Sequence, residues 1–114
     1  MKRKNCCPIA QALGVLGDKW SLIVLRDVIF GKKRHFNDLL ASPEKISTNI
    51  LSNRLKTLQE ESLLCCSVDL ENRRSKIYTP TEKAQDLVPV LVELYKWGEK
   101  YNDMADTAEN PMQE

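Results

Sequence analysis

The sequence predicts a mainly helical domain with one small β-hairpin, from two patterns that follow each other along the chain. A short helix (about 36–42) and a longer helix (about 47–61) are separated by the turn residues Ser42-Pro43-Glu44. Two short strand patterns come next, and they are joined by the basic turn Asn72-Arg73-Arg74. Two helices joined by a tight turn and followed by a charged hairpin predict a winged helix-turn-helix.

The longer helix of this pair has an apolar face and a polar face. Leu51, Leu55 and Leu58 share a narrow sector at a period of about 3.6 residues, so this sector must face the core. Ser47 is the predicted N-cap, because its hydroxyl can accept a hydrogen bond from a free amide of the first turn. No carboxylate precedes Glu60 on the remaining surface. The outward polar residues are Thr48, Asn49, Ser52, Asn53 and Lys56.

This polar face has the composition expected of a surface that reads DNA. Asparagine can form paired hydrogen bonds with adenine, while lysine and serine can contact bases or phosphates. One alternative is an ordinary solvated helix face, but such faces usually mix glutamate with lysine. Another is a winged-helix protein-interaction module, which carboxylates on this face would favour, and none is present. Since a winged helix normally binds duplex DNA, we expect double-stranded DNA as the partner.

Basic residues outside this helix extend the predicted DNA-binding surface. Arg54 lies towards the apolar flank of its helix and is expected to reach a phosphate rather than a base. Lys32-Lys33-Arg34 is either a solvated linker or a phosphate clamp. The arginines of the hairpin turn can follow phosphates or enter a narrow minor groove, with a solvated turn as the alternative. The predicted DNA-binding residues are Arg34, Ser47, Thr48, Asn49, Ser52, Asn53, Arg54, Lys56, Arg73, Arg74 and Lys76.

Length and composition indicate one soluble domain. A chain of 114 residues with 42% hydrophobic and 29% charged residues can bury one modest core. No apolar run is long enough to cross a membrane, and the N-terminus lacks the apolar stretch of a signal peptide. We therefore expect a cytoplasmic protein, with residues 1–104 as the winged domain and residues 105–114 as a disordered acidic tail.

Charge is distributed unevenly along the chain, although the net charge is only +1. Residues 1–83 contain 15 Lys and Arg against 9 Asp and Glu, whereas residues 84–114 contain 2 against 7. The basic part includes the predicted DNA-binding surface, which suits a protein with one surface on a phosphate backbone. The sequence pI of about 7.6 argues against strong non-specific binding to nucleic acid.

The four cysteines and the single histidine do not form a recognisable metal or catalytic motif. Cys6-Cys7 and Cys65-Cys66 are adjacent pairs without the spacing of a zinc site, so no metal or cofactor is predicted. A metal sensor in which the pairs meet across a dimer remains an alternative. We interpret His35 as a surface or helix-start residue, since no phosphate loop, nucleotide fingerprint or zinc-hydrolase spacing accompanies it. The sequence therefore does not predict an enzyme.

The flanking helices predict the core and a second apolar surface. Pro8 starts a first helix, and Asp18 caps an almost wholly apolar second helix that should end at Gly31. Thr79-Pro80-Thr81-Glu82 predicts the start of the last helix, with its first threonine as N-cap, and Pro89 should kink or break that helix. The last helix carries two apolar stripes. Because a domain of this size can cover only one of them, the second stripe suggests a second protomer.

Taken together, these residues resemble the HxlR family of bacterial winged-helix transcriptional regulators. The similar motifs are Cys7-Pro8, Gly17-Asp18-Lys19-Trp20, Leu25-Arg26, Phe36-Asn37-Asp38-Leu39, Ile46-Ser47, Leu51-Ser52-Asn53-Arg54-Leu55, Leu58, Tyr78, Thr81, Pro89-Val90-Leu91 and Trp97-Gly98. The resemblance implies a homodimer, built from the N-terminal and last helices, that binds near-palindromic operators. It also implies that nearby genes respond to aldehydes, quinones, disulfide stress or other small signals. On this basis the expected dimer interface consists of Ile9, Leu13, Leu91, Leu94, Tyr95, Trp97 and Tyr101.

The resemblance further points to Cys7 as a candidate redox sensor, because a cysteine before proline recurs in the family and senses oxidants in some members. A helix N-terminus and the basic residues 2–4 favour the reactive thiolate form. The alternative is a partly buried interface cysteine with no sensing role. The sequence departs from the family pattern at three places: Ser62 stands where glycine is usual before the wing, Pro80 replaces a usual apolar residue, and His35 separates the basic residue from Phe36.

Overall fold

The computed structural model describes residues 7–102, which form a mainly helical fold with one two-stranded antiparallel sheet. The elements in chain order are α1 (Pro8–Leu16), α2 (Lys19–Ile29), α3 (Phe36–Leu40), α4 (Thr48–Glu60), β1 (Leu64–Val68), β2 (Lys76–Pro80), α5 (Glu82–Gln85) and α6 (Val88–Tyr101). The predicted class, mainly helical with one β-hairpin, is confirmed. The predicted tail over 105–114 lies outside the described residues. No helix within residues 7–102 is long and apolar enough to span a bilayer.

Helix α2 lies in the middle of the core, as its almost continuous apolar sequence predicts. Val24, Leu25 and Val28 are at most 2% exposed, and α2 contacts α4 as well as α1, α3, α6 and β2. Leu51 and Leu58 of α4 are fully buried, so the predicted apolar sector of α4 does face the core. Burial of each such leucine contributes about 1.5–3 kcal/mol relative to exposure. The contact between α2 and α4 therefore fixes the orientation of α4.

The turn between α3 and α4 is held by a capping bond and by one residue with positive φ. Ser47 is the N-cap of α4, and its Oγ accepts a hydrogen bond from the Ile50 amide at 3.2 Å, as predicted. Lys45 has a φ of 63°, and its amide donates to the Ser42 carbonyl at 2.9 Å. Ile46, just before the cap, is buried. These bonds set the direction in which the chain enters α4.

The hairpin is attached along one edge to the segment that precedes α3. β1 and β2 pair antiparallel over their full lengths. The Tyr78 amide donates to the Arg34 carbonyl at 2.8 Å, so the chain before α3 lies beside β2. Cys66 is half-buried and Cys65 is exposed, because successive side chains of a strand point to opposite faces of the sheet. The wing is thus positioned by the same segment that begins the helix-turn-helix.

The helix after β2 begins two residues later than the sequence predicts. Thr81, rather than Thr79, is the N-cap, and its Oγ1 accepts a hydrogen bond from the Ala84 amide at 3.2 Å. The pairing of β1 with β2 extends through Pro80. Because the strand occupies Thr79 and Pro80, the capping position moves to the second threonine of the motif.

The predicted break at Pro89 is confirmed, and it divides the last helix into two separate helices. α5 ends at Gln85, and α6 begins at Val88 with Pro89 in its first turn. A proline in a first turn leaves no hydrogen bond unmade, whereas in a continuous helix it would remove one and clash with the preceding turn.

Gly31 follows the C-cap of α2, as predicted, but it lacks the left-handed backbone that usually accompanies this position. Phe30 is the C-cap, and the residue with a left-handed backbone is Lys32, with a φ of 55°, instead of Gly31. A Cβ at Gly31 would lie 2.8 Å from the Asp27 carbonyl oxygen. Crowding by the carbonyl group of Asp27 in the last turn of α2, rather than a positive φ, therefore favours glycine at this position.

Candidate DNA-binding interface

The polar face of α4 is exposed along its length. Its predicted members, Thr48, Asn49, Ser52, Asn53 and Lys56, are all exposed. Among the residues that the structure describes, the side chains of Asn49 and Lys56 form no hydrogen bond or ion pair with the rest of the protein. A free amide and a free ammonium group are suited to base edges and phosphates.

Arg54 links this polar face to the start of α2. Its Nη1 donates to Asp18 Oδ2 at 3.1 Å, and its Nη2 donates to Asn53 Oδ1. Asp18 also accepts hydrogen bonds from the amide and hydroxyl of Ser21, at 2.8 and 2.7 Å. Burial raises the pKa of Asp18, but the bonds from Ser21 and Arg54 lower it further, so that it lies below its ordinary value. Arg54, expected at a phosphate, is paired within the protein and orients Asn53.

The wing turn presents basic side chains to solvent. The exposed basic residues of the wing are Arg73, Arg74 and Lys76. Within residues 7–102 none of the three forms an ion pair. The turn is held by two short polar side chains: the Glu71 amide donates to Asp69 Oδ1 at 2.9 Å, and the Arg74 amide donates to Asn72 Oδ1 at 3.2 Å. The wing therefore holds its unneutralised cations on an ordered turn.

His35 connects α3 to the base of the wing. It is the N-cap residue of α3, in agreement with its interpretation as a helix-start residue. Its Nε2 lies 3.1 Å from Asp69 Oδ2, and its Nδ1 lies 3.6 Å from Asp38 Oδ2. The Glu71 amide and, secondarily, His35 hold the pKa of Asp69 below its ordinary value. This contact joins residues 34 positions apart, which no sequence pattern indicated.

Arg34 is turned towards the protein rather than outward. Its Nη1 donates to the Val28 carbonyl and, at 3.4 Å, to the Lys33 carbonyl, and the residue is half-buried. Val28 lies in the last turn of α2, where carbonyl groups lack helical partners and attract a cation. Arg34 therefore completes the end of α2, and a phosphate contact would require these bonds to be exchanged.

A network of charged residues behind the helix-turn-helix was not predicted from the sequence. Arg26 donates through Nη1 and Nη2 to the two carboxylate oxygens of Glu44, both at 2.8 Å. It also contacts Asp27, which is only 1% exposed, at 2.8 Å. The bonds from Arg26 lower the pKa of Glu44 from 4.5 to about 2, although burial acts in the opposite direction. The sequence did contain an indication of this network: Arg26 and Asp27 are charged residues in an otherwise apolar, buried helix, and buried charges require partners.

The apolar residues expected at a dimer interface divide between the core and the surface. Leu91 is 5% exposed and belongs to the protomer's own core, so its assignment to the interface is corrected. Its side chain faces α2, which α6 contacts, and Tyr95 is half-buried. The exposed members are Ile9 (69%), Leu13 (56%), Leu94 (49%), Trp97 (68%) and Tyr101 (65%). The rings of Trp97 and Tyr101 lie 5.5 Å apart.

Cys7 is exposed at the start of α1. It is the N-cap residue, and Pro8 follows in the first turn as predicted. Its carbonyl accepts a hydrogen bond from the Gln11 amide at 3.0 Å. Cys6 lies outside the described residues. Within residues 7–102, no three His, Cys, Asp or Glu side chains are grouped closely enough to hold a metal ion.

Comparison with known proteins decides the family. Residues 15–106 match the HxlR-like helix-turn-helix family. The chain belongs to the HxlR family. The uncharacterized HTH-type transcriptional regulator YdeP of Bacillus subtilis is 34% identical to this HxlR chain over 103 residues, which cover 90% of the chain and 80% of YdeP. This HxlR protein is therefore a transcriptional regulator and not an enzyme.

Solved structures agree with the winged-helix fold of this HxlR regulator. The crystal structure of PA1607 has a TM-score of 0.79 and 33% identity, and the similarity covers 94% of this chain and 73% of PA1607. The HTH-type transcriptional regulator YodB of B. subtilis is 29% identical over 107 residues, covering 94% of this chain and 95% of YodB. Reduced YodB gives a TM-score of 0.65 with 27% identity, over 89% and 99% of the two chains. YodB structures also exist in diamide-treated and quinone-bound forms.

Proposed function

We propose that this HxlR regulator is a homodimer that binds a near-palindromic operator, with the polar face of α4 against the base edges. The observation that carries the proposal is the exposed, carboxylate-free surface formed by Thr48, Asn49, Ser52, Asn53 and Lys56. The bond from Arg54 to Asn53 Oδ1 supports a direct reading role, because it limits the orientations that the Asn53 amide can adopt. An amide held in place loses less entropy when it pairs with a base.

Phosphate contacts come from the wing in this proposal. Arg73, Arg74 and Lys76 are exposed cations without ion-pair partners within residues 7–102. Such groups position a protein on duplex DNA without reading its sequence. Arg34 contributes only if its bond to the Val28 carbonyl is exchanged for a phosphate.

Dimerisation through α1 and α6 is supported by the apolar side chains that the protomer leaves exposed. Trp97 and Tyr101 form an aromatic pair on α6, and Ile9 and Leu13 are exposed on α1. Aromatic residues of this kind are enriched at the centres of protein interfaces. We propose residues 1–104 as a single DNA-binding and dimerisation domain.

A thiol response through Cys7 is the regulatory part of the proposal. Cys7 is exposed and precedes Pro8 at the start of α1, one of the two helices proposed for the interface. YodB, a relative of this chain, has been solved in reduced and quinone-bound forms. An oxidant or electrophile that modified Cys7 would alter the packing of α1 and thereby the spacing of the two α4 helices.

Selection of bound fragments from random duplex DNA, with and without oxidant, tests the proposal. We expect an operator with two half-sites separated by one or more helical turns of about 34 Å. If the dimer makes about 6–10 phosphate contacts, its affinity should fall by roughly 10³–10⁵ between 50 and 200 mM salt. A salt response close to zero, or no enriched sequence, would count against DNA as the ligand. Cys7→Ser should abolish the effect of oxidant, whereas Cys65→Ser should preserve it.

Two substitutions separate base reading from phosphate contact. Asn53→Ala should reduce discrimination between operator and mutated operators, because it removes a base-reading amide at one position. Arg74→Ala should weaken binding to all sequences by a similar factor and lower the salt slope by about 1 per protomer. Competition titrations with operator and scrambled duplex measure both effects. Equal losses on every duplex for Asn53→Ala would contradict its reading role.

A further inference from the structure

The wing and α3 form the two walls of a cleft, and the proposed function uses only Arg74 and Lys76 among the residues that line it. The cleft has a volume of about 350 Å³, and the residues that line it include His35, Asn37, Arg74, Ser75, Lys76 and Tyr78. We propose that this cleft seats one backbone phosphate of the bound DNA, with Asn37, Ser75 and Lys76 as its ligands. The inference rests on the proposed function and adds Asn37 and Ser75 to the DNA-binding residues.

The chemistry of the lining favours an anion. Lys76 and Arg74 bring positive charge, and the Asn37 amide and Ser75 hydroxyl bring uncharged hydrogen-bond donors. No carboxylate lines the cleft. Within the described chain, no hydrogen bond or ion pair occupies the side chains of Asn37, Arg74 and Lys76. A phosphate oxygen can accept from ammonium, guanidinium, amide and hydroxyl groups together, as charge-assisted hydrogen bonds.

The nearby acidic groups lie close to His35, and Asp69 holds the two walls together. Asp69 accepts from the Glu71 amide at 2.9 Å and lies 3.1 Å from His35 Nε2. Asp38 lies 3.6 Å from the other ring nitrogen of His35. His35 is therefore joined to the base of the wing through Asp69, whereas Asp38 lies near its other ring nitrogen at a distance longer than a hydrogen bond.

Backbone hydrogen bonds fix the width of the cleft. The Tyr78 amide donates to the Arg34 carbonyl at 2.8 Å, and the Asp69 amide donates to the Ser75 carbonyl at 3.0 Å. The first bond joins β2 to the segment before α3, and the second closes the base of the wing turn. Because both walls are held by the protein itself, little ordering entropy is lost when an anion enters.

The phosphate has two candidate sources, a DNA backbone and a free anion. The cleft continues directly into the exposed cations of the wing, and its other wall begins the helix-turn-helix. Both walls thus belong to elements that the proposed function places on DNA. This continuity favours a phosphate that belongs to the duplex.

The test places one uncharged methylphosphonate at each backbone position of the selected operator. In the full-length wild-type dimer, several contacted positions should respond to a neutral linkage. We expect one of them in each half-site to weaken binding roughly tenfold and to be coupled to both Lys76 and Asn37, through the loss of a charge-assisted bond. In Lys76→Gln, neutralising that same position should change affinity less than about twofold, because the charged partner is already missing. In Asn37→Ala the effect of the neutral linkage should be smaller than in the wild type but should persist, because Lys76 remains. Lys76→Gln should also reduce the salt slope by about 0.9 per protomer.

Lys83→Gln is the matched control for the loss of one lysine charge. Lys83 lies on α5 and donates to the Glu61 carbonyl at 2.7 Å. In Lys83→Gln, the neutral linkage at the sensitive position should therefore weaken binding as much as it does in the wild type. Asn37 and Lys76 are both exposed, and thermal unfolding verifies that their variants remain folded.

Three results overturn the inference in distinguishable ways. If no backbone position is coupled to Asn37 or Lys76 while Asn53→Ala still reduces discrimination, the cleft seats no phosphate and the proposed function stands. If the wild-type protein selects no operator, the proposed function and the inference fail together. If inorganic phosphate alone shifts the Asn37 side-chain amide resonance but no operator position is coupled, the cleft binds a free anion instead of DNA.

Discussion

Ser62 stands between α4 and β1 with a φ of 62°, a backbone conformation that favours glycine. For a residue with a Cβ this region costs about 1–2 kcal/mol, because the Cβ crowds the following carbonyl oxygen. The Ser62 carbonyl accepts from Thr81 Oγ1 at 2.7 Å, and its amide donates to the Gln59 carbonyl at 3.0 Å. Both contacts use the backbone, while the side chain is exposed. The strain therefore explains why the HxlR resemblance leads one to expect glycine here.

Ser62→Gly should raise the free energy of unfolding by about 1 kcal/mol, since the relief of strain exceeds the added flexibility of the unfolded chain. Ser67→Gly is the matched control, because Ser67 is an exposed serine in the middle of β1. That substitution should lower stability by about 0.5–1 kcal/mol. Urea unfolding at one protein concentration measures both, and a loss of stability in Ser62→Gly would contradict the strain argument.

The helix-turn-helix depends on an element that is not part of its own sequence pattern. Arg26 of α2 forms a bidentate pair with Glu44, which lies in the turn between α3 and α4. Ser42 of the same turn donates to Glu44 as well. A bidentate pair fixes both distance and angle. We call the Arg26–Glu44 pair the clamp. The clamp sets the orientation of the turn that leads into α4, and the buried leucines of α4 fix the orientation of the helix itself.

The clamp should make stability dependent on pH in the acidic range. The pKa of Glu44 in the folded protein is about 2, below its ordinary value of 4.5. A lowered carboxylate pKa stabilises the folded state above pH 4.5, and this stabilisation is lost as the pH falls from 4.5 towards 2. Glu44→Gln should therefore show a smaller loss of stability between pH 5.5 and pH 3 in urea unfolding. An unchanged pH profile in Glu44→Gln would contradict the clamp.

At neutral pH, Glu44→Gln should lower stability by about 1–3 kcal/mol, because hydrogen bonds to the charged Arg26 are weakened. Glu60→Gln, at the exposed end of α4, is the matched control for the loss of one carboxylate. Operator affinity is measured under conditions in which both variants are fully folded, so that a change in the orientation of α4 is distinguished from a loss of stability. We expect weaker binding for Glu44→Gln than for Glu60→Gln.

At the scale of the whole molecule, the polar and apolar surfaces lie on different parts of the fold. The wing carries a cluster of three exposed cations and α4 carries Lys56, whereas most of the exposed large apolar side chains lie on α1 and α6. Other exposed lysines are distributed over the remaining elements. The uneven charge along the sequence follows the same division. Such a separation suits a protein that binds phosphate with one surface and a second copy of itself with another.

Trp97→Ala should dissociate the proposed dimer without disturbing the protomer, because Trp97 is 68% exposed. Loss of a central aromatic residue costs on the order of 2 kcal/mol, or roughly a 30-fold weaker dimer. Leu70→Ala is the control, since Leu70 is 82% exposed but lies in the wing turn. Sedimentation equilibrium measures the association constant. A dimer of wild-type strength in Trp97→Ala would exclude this face of α6 as the dimer interface.

Local sequence patterns were sufficient to predict most of the fold. The period of Leu51, Leu55 and Leu58 assigned the buried face of α4, and the capping residues Asp18 and Ser47 were identified because a cap acts within three residues. The same locality explains why Thr79 was chosen over Thr81. Two threonines, separated only by Pro80, offer the same cap, and only the extent of the β1–β2 pairing decides between them.

By itself, the sequence determined the elements, the leucine face that must be buried and the polar face that must be left outside, because these follow from the spacing of neighbouring residues. Only the tertiary structure decided which charged groups meet. Arg26 with Glu44, His35 with Asp69 and Arg54 with Asp18 join residues 18, 34 and 36 positions apart. It also decided that Leu91 faces the core while Trp97 faces solvent. A periodic pattern places residues on the faces of a helix, but the neighbour that covers each face depends on how the helices pack.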